Sequence, residues 1–438
     1  MKKFYLFSLM LVGIFCMMLT TSLPAQAQWR MVSQRNAAYA FYITKGGNFL
    51  MSDYLYDLSG GIYVSTNKGS FWNKADIIDR GYNNFIEAGK YVFASGMGTE
   101  LARSADGGKT WEMVSFAEVL APYVPADEMD YDVVYAMAYH NGKLFVGDFN
   151  GGGIIYSEDF GETWKMTKRE NLFWVYEDEE TGKVEEYMDN FYNMVSFKGK
   201  LYAFGMVNVY EYDETANDWF VLRGDSNFMA VSTIFKDKLY CGRSVMNETT
   251  EIPFLECTSD GEDWVEVPRP ENQIDNNIRA LASDDKNIYV GLQSRGIYYT
   301  PDAGQTWVNI SKGLPNMNPE NKDLYLSPLK FAVTDEFLYV VLYDDPMSPL
   351  RRSGLYRYPK KNLPTGVENV VADQQIFVDG DVLFVGQAEQ VAIYDLSGKQ
   401  CNVVVNNGRV DLKALSKGCY LYQVTVNGQQ QGGKFLLK

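Results

Sequence analysis

The sequence predicts an all-β protein made of seven repeated sheet units, and three observations carry that reading. First, runs rich in Tyr, Phe, Val and Ile alternate with Gly, Asn and Asp turns along most of the 438 residues, whereas the 3.6-residue periodicity of helices is nearly absent. Second, Trp29, Trp72, Trp111, Trp164, Trp219, Trp264 and Trp307 stand 43, 39, 53, 55, 45 and 43 residues apart, with only Trp174 outside the series. A spacing of that size is one supersecondary unit, repeated. Third, each unit holds two strand-like runs joined by a short polar turn: AFYITKGGNFLMS, FIEAGKYVFAS, AMAYHNGKLFVG, MVSFKGKLYAFG, AVSTIFKDKLYCG, ALASDDKNIYVG and FAVTDEFLYVVL. Seven pairs match seven tryptophans.

Ahead of most of these tryptophans lies the same turn. STNKGSFW (65–72), SADGGKTW (104–111), SEDFGETW (157–164) and TPDAGQTW (300–307) share one spacing, and TSDGEDW (258–264) is one residue shorter. A catalytic loop normally occurs once, whereas a structural device recurs with every unit. Asn67, Asp106, Asp159, Asp260 and Asp302 are placed to accept backbone N–H groups across a tight turn, the glycine supplies a backbone angle other residues resist, and the indole packs over the hairpin. These segments resemble the Asp-box, or sialidase-type repeat, of β-propellers. The resemblance implies a turn between the third and fourth strands of a blade, on the outer rim, and a structural role for those five residues.

Two units depart from the pattern. VYEYDETANDWFVL keeps Trp219 but lacks the box glycine, so its turn must be built differently. The seventh unit ends at GLYRYPKKNLP (354–364) with no Trp behind it, while QWRMVS (28–33) resembles the outermost strand of the other units. The expectation is a seven-bladed propeller over 28–364 whose amino-terminal strand completes the last blade, a closure that removes an open sheet edge.

The two ends of the chain read as addresses. Lys2 and Lys3 precede an apolar run, and Ala25-Gln26-Ala27 offers small residues for cleavage, so 1–27 reads as a secretory signal peptide, too short for a membrane span. Nothing later is long and apolar enough to cross a bilayer. From Thr365 the composition shifts to Gln, Val, Asn and Gly, and 365–438 reads as a separate domain of short strands. VAIYDLSGKQ (391–400), NNGRVDLKALSKGCYLYQVTVNGQQ (406–430) and the terminal KFLLK resemble the type A sorting domain of type IX secretion systems. The resemblance implies a small immunoglobulin-like β-sandwich, the type IX secretion machinery as a partner, and a cargo that is released or fixed to the cell surface once the tail is removed.

The formal net charge is −16, and the tail from Thr365 holds six basic and seven acidic residues, so nearly all of the negative charge lies in the propeller region. A surface this acidic disfavours nucleic acid and anionic lipid as partners. His140 is the single histidine, which excludes a histidine-dependent hydrolase and a multi-histidine metal site. No phosphate loop follows a strand and opens a helix. The reading calls for no cofactor and no metal, and for a monomer.

Binding residues are sought in the loops. FAEVLAPYVPADEMDYD (116–132) and TKRENLFWVYEDEETGKVEEYMDN (167–190) join successive units, and in a propeller such loops share a face with those between second and third strands. Long connections are more often functional than short ones. Tyr123, Asp130, Asp132, Trp174 and Tyr176 suit stacking on sugars or gripping a protein, although Trp174 is also suited to anchoring its own loop. Arg243, Arg295 and Arg351 or Arg352, with Asp344, fall in second-to-third-strand loops of successive units, where three cations could clamp a carboxylate. Against a sialidase stand the lack of an Arg-Ile-Pro-type segment and the six blades of that class. Another glycosidase needs two carboxylates ~5 to 9.5 Å apart, and Asp130, Asp132, Asp148, Asp189, Asp225 and Asp344 all qualify, so no pair is singled out. Cys241 with Cys257, and Cys401 with Cys419, read either as local disulfides formed during export or as buried thiols. The function expected is that of a secreted or surface-displayed propeller that binds a glycan or protein, with a glycoside hydrolase as the alternative.

Overall fold

The computed structural model describes residues 29–437 apart from 36–37, 55–59, 130–132, 148–150, 178–180, 225–228, 244–253, 271–276, 319–320, 345–351, 365–376, 380, 386–387, 389, 396, 407 and 427–428. The chain divides into two compact units, one ending at Leu363 and the other starting at Pro364. Among the described residues no helix is long and apolar enough to cross a membrane.

In the first unit the described strands form seven four-stranded antiparallel sheets, I to VII in chain order, and two two-stranded hairpins. Their first strands are Ala38–Ile43, Tyr82–Ala88, Ala136–His140, Phe191–Phe197, Val231–Phe235, Ile278–Ser283 and Ser327–Val333. Each of these strands touches the first strand of the next sheet, and that of sheet VII touches that of sheet I. Apolar side chains on both faces of each sheet fill the spaces between neighbours: Phe145, Tyr212 and Trp219 lie between sheets III and IV, and Phe235, Ile288 and Val290 between V and VI. Burial on both faces explains why the strand runs are apolar almost throughout instead of alternating.

Sheet VII takes its fourth strand from the other end of the chain. Arg30–Gln34 pairs antiparallel with Gly354–Pro359, Arg30 opposite Arg357 and Gln34 opposite Gly354, with a bulge between Met31 and Ser33. Trp29 is 5 % exposed. Its indole N–H donates to the Ile310 carbonyl at 2.7 Å, and its ring lies 5.2 Å from that of Tyr358.

The repeated turns have one chemistry. In sheet II the Asp106 Oδ1 accepts the N–H groups of Lys109 and Thr110 at 3.0 and 2.9 Å and the Ser104 hydroxyl at 2.9 Å, and Oδ2 accepts the Thr110 hydroxyl at 2.7 Å. Trp111 closes the turn by donating to the Gly108 carbonyl at 2.9 Å. Asn67, Asp159, Asp260 and Asp302 accept comparable bonds in their own turns. Gly108 adopts φ +90°, and a Cβ there would fall 2.2 Å from Leu50 Cδ2 of sheet I, so glycine is required by conformation and by space together. In sheet IV Ala216 stands where the other turns have glycine, and the next residue, Asn217, adopts φ 52°. Its amide oxygen accepts from Tyr212 and Asp213 caps Thr215 and Ala216, so asparagine supplies the left-handed residue.

The four described cysteines, Cys241, Cys257, Cys401 and Cys419, stand as unpaired thiols, and strand register sets the members of each pair apart. Cys241 lies opposite Glu256 and Cys257 opposite Tyr240 on adjacent strands, one step out of register, so the two side chains leave opposite faces of sheet V. Cys241 joins the cluster of Phe204 and Leu239, Cys257 that of Phe254 and Val290. In the tail Cys401 pairs with Ile393 and Cys419 with Leu436, in strands that Gln390–Asp395 separates.

The second unit holds two four-stranded antiparallel sheets. Leu383, Val385 and Val410 of one share an apolar cluster with Ile393, Tyr420, Val424 and Phe435 of the other.

Candidate functional site

The seven first strands pair regularly near the turn into the second strand, and most of them are irregular at the end where the chain enters. Five carry one extra residue near the entry: the register slips between Ala38 and Phe41, Tyr82 and Asn84, Phe191 and Asn193, Ile278 and Ala280, and Pro328 and Lys330. A bulge of this kind re-aims a side chain that the pleat would otherwise bury between sheets. At three of the five the slip holds a half-buried Tyr39, Tyr192 or Arg279, and all three border a central cavity of about 300 Å³.

Every sheet contributes to that cavity: Tyr39 from I, Asn83 and Asn84 from II, Tyr135 from III, Tyr192 from IV, Ala230 and Val231 from V, Ile278 and Arg279 from VI, and Leu329 and Lys330 from VII. An adjoining space of about 150 Å³ continues along the same strands past Asn193, Ser232 and Phe331. Tyr135 and Tyr192 stack with centroids 6.0 Å apart and planes at 24°. No aspartate or glutamate is among the described lining residues. Lys330 lines the cavity and is half-buried. That burial, reinforced by the charge of Arg279, lowers its pKa to about 8. Burial raises the Tyr39 phenol, with Arg279 acting the other way, and raises that of Tyr192, helped by Asp189.

The two long connections lead directly into the stacked pair. Residues 116–132 open with the short helix Ala117–Leu120 and run toward Tyr135. Residues 167–190 contain their own hairpin, Phe173–Glu177 paired with Val184–Met188, and run toward Tyr192. Asp189 fixes the hairpin's base: fully buried, it accepts N–H groups from Met206, Val207 and Asn208 at 2.7, 3.1 and 2.9 Å and the Tyr210 hydroxyl at 3.0 Å. Burial raises its pKa against the pull of those bonds.

Against this geometry the sequence candidates separate into three groups. Tyr123, Trp174 and Tyr176 come together on the long connections. The Arg169 guanidinium lies 4.0 Å from the Tyr123 ring and 5.6 Å from Phe173, and Trp174 packs against Tyr187 and Tyr176 at 5.4 and 6.3 Å. Tyr123 and Tyr176 are both 46 % exposed. Arg243 and Asp344 are instead internal. Arg243 is 1 % exposed with Nη2 2.5 Å from Glu256 Oε2, which removes it from any surface carboxylate clamp. Asp344 is buried against Arg352 at 3.1 Å. Arg295 is half-buried beside Tyr298. Asp130, Asp132 and Arg351 lie outside the described residues, as do Asp148 and Asp225. Of the six carboxylates considered for hydrolysis, the two described ones, Asp189 and Asp344, are therefore committed to their own loops. His140 is buried at 5 % exposure with Nδ1 2.8 Å from the Ser196 hydroxyl, and burial lowers its pKa.

The sequence reading missed the cavity residues. A usable signal was present: in six of the seven units a large polar residue, Tyr39, Asn84, Tyr135, Tyr192, Arg279 or Lys330, stands near the entry of the inner-strand run and interrupts it.

No family model and no curated protein matches the chain. Among solved structures it is similar to YCF48 from Cyanidioschyzon merolae, with a TM-score of 0.51 and 13% identity over 77% of this chain and 100% of that one. It is likewise similar to YCF48 bound to D1 peptide, with 0.51 and 14% over 76% and 96%. A GH74 xyloglucanase from Xanthomonas campestris aligns with a TM-score of 0.48 and 12% identity over 75% of this chain and 55% of that one. The YCF48 structures are β-propellers. This chain has a β-propeller fold.

Proposed function

We propose that the chain is a seven-bladed Asp-box propeller, closed by its amino-terminal strand, that binds a glycan or protein ligand at the face carrying the long connections and catalyses nothing itself. The observation that carries this reading is the central cavity, walled on one side by the Tyr135–Tyr192 stack and on the other by Arg279 and Lys330, with no carboxylate among its described lining residues. Hydrolysis of a glycosidic bond needs a carboxylate pair, which this wall does not supply, whereas aromatic and hydrogen-bonding side chains converging on one space suit recognition. That one of the similar propellers is held with a peptide supports a ligand-binding face on this architecture.

The remainder of the reading concerns where the ligand is met. The signal-like start, the sorting-domain resemblance of the tail and the two-sheet organisation of residues beyond Pro364 support a cargo of type IX secretion that ends outside the cell or on its surface. Purified protein screened against a polysaccharide panel, scored both for retention and for released reducing ends, tests the central claim. Retention without new reducing ends is the expected result, and catalytic release of reducing ends would transfer the reading to a hydrolase. Truncation after Pro364 should leave the propeller folded and trapped in the cell envelope; normal export of that truncation would remove the sorting role.

A further inference from the structure

The central cavity carries charge of the wrong sign for its surroundings. The protein has a formal charge of −16. The connection 116–132 contains five acidic and no basic residues, yet the described cavity wall presents a lysine and an arginine from the adjoining sheets VI and VII and no acid. Burying an amine without a counter-charge is costly, and Lys330 has only burial and the like charge of Arg279 acting on it. Such an arrangement persists where the counter-charge arrives with a ligand.

Two amides near the cavity are incompletely paired. Asn83 is 3 % exposed; its oxygen accepts the Ser95 hydroxyl at 3.0 Å and its Nδ2 has no hydrogen-bond partner. Asn193 repeats this, with its oxygen accepting from Ser232 at 3.4 Å and its Nδ2 also unpartnered. Each leaves a buried amide donor without an acceptor, a local destabilisation beside the cavity.

We propose that this cavity is a subsite for one terminal uronic acid residue, its carboxylate held by Lys330 and Arg279 and its ring set against the Tyr135–Tyr192 stack across the ring of strands. The inference rests on the ligand-binding reading above and names the ligand class. About 300 Å³ is at the small end for ligand pockets, room for one sugar ring with its acid and not for a chain. The flat aromatic pair suits a pyranose face. A peptide's terminal carboxylate would satisfy the cations but bring no ring to the tyrosines. The acidic connections repel polyanions, so the site selects a single acidic sugar ending a neutral chain over a polyuronate.

Titration calorimetry of the purified protein with methyl β-glucuronide, methyl β-glucoside and pentaglycine tests this. The glucuronide should bind at least tenfold tighter than either other probe. K330M should weaken it at least tenfold and K330R much less, with circular dichroism confirming that both variants fold. Affinity should fall as pH rises above about 8, where Lys330 loses its proton. Equal affinity for the glucoside, tighter binding of pentaglycine, undiminished binding by K330M, or no glucuronide binding at all overturns the proposal. If neutral polysaccharides are nevertheless retained, and Trp174→Ala abolishes that retention, the cavity assignment fails while the ligand-binding face stands. Conversion of the glucuronide to free glucuronic acid would do the reverse, preserving acid recognition and ending the non-catalytic reading.

Discussion

The two ends of the seven inner strands obey different rules. At the hairpin end, next to the repeated turns, nearly every polar group is answered locally: Asp106 alone accepts two backbone N–H groups and two hydroxyls, and the Asn48 side chain of sheet I donates to the Gly107 carbonyl of sheet II at 3.0 Å. At the entry end five of the strands bulge, two amide donors go unanswered, and two cations share a wall. Repetition at one end and departure from it at the other separate what holds the molecule together from what it offers to a ligand.

That contrast is broken or sharpened by four measurements, the largest effect first. Deleting the residues before Arg35 removes the Arg30–Gln34 ladder and a buried indole, and should cost several kcal/mol while opening the Gly354–Pro359 edge. Unchanged chemical denaturation of that deletion would mean that sheet VII does not depend on its borrowed strand. Asp189→Ala leaves three N–H groups and a hydroxyl at the base of the aromatic hairpin without an acceptor, an expected loss of about 3 kcal/mol. Ligand retention should weaken with it, because the hairpin leads into Tyr192; stability lost with retention intact would uncouple the hairpin from the cavity.

The third measurement uses Lys330, where function and stability are opposed. K330M should raise stability at pH 7 by about 1 to 2 kcal/mol, since it removes a half-buried, uncompensated amine. The sign follows from linkage. The folded pKa of about 8 lies below the ordinary 10.5, so the unfolded chain binds the proton more readily. Wild-type stability therefore falls as pH drops from 10.5 to 8, and the gap to K330M opens over that window and then levels. A gap that does not vary with pH would show that the amine is already neutralised.

The smallest effect belongs to the repeated turns. Asp106→Ala should cost about 1 kcal/mol and leave ligand binding untouched, and loss of binding by a folded variant would give the turn a role beyond structure. Burial opposes ionisation of Asp106, but the bonds from Thr110, Ser104 and Lys109 outweigh it and hold the carboxyl below its usual range. Asp159 and Asp302 behave alike. These groups lend stability above the ordinary carboxylate pKa, and it is lost as pH falls through their lowered values. Acid should therefore weaken the hairpin end, while the cost at Lys330 has long been complete.

The hairpin end was readable because local chemistry writes it out: an Asp or Asn, a glycine and a Trp at fixed spacing state the turn, and seven tryptophans state the count of sheets. The extended loops were readable as places to look, and Tyr123, Trp174 and Tyr176 do gather there. Side-chain facing was not readable at single positions. Arg243 passes for a surface cation until the strands pair and set it against Glu256, and Cys241 and Cys257 look like a bridge until a one-residue stagger turns them to opposite faces.

By itself, then, the sequence determined the repeat, its turns and the strand that answers the seventh unit, because each depends on residues close in the chain or on a matching period. Only the tertiary structure decided the cavity. Its wall takes residues from all seven sheets, spread from Tyr39 to Lys330, and at several of them an added residue in the strand sets which way the side chain points. No stretch of sequence holds that information, since convergence of distant strands and the register of each against its neighbour exist only once the ring of sheets has packed.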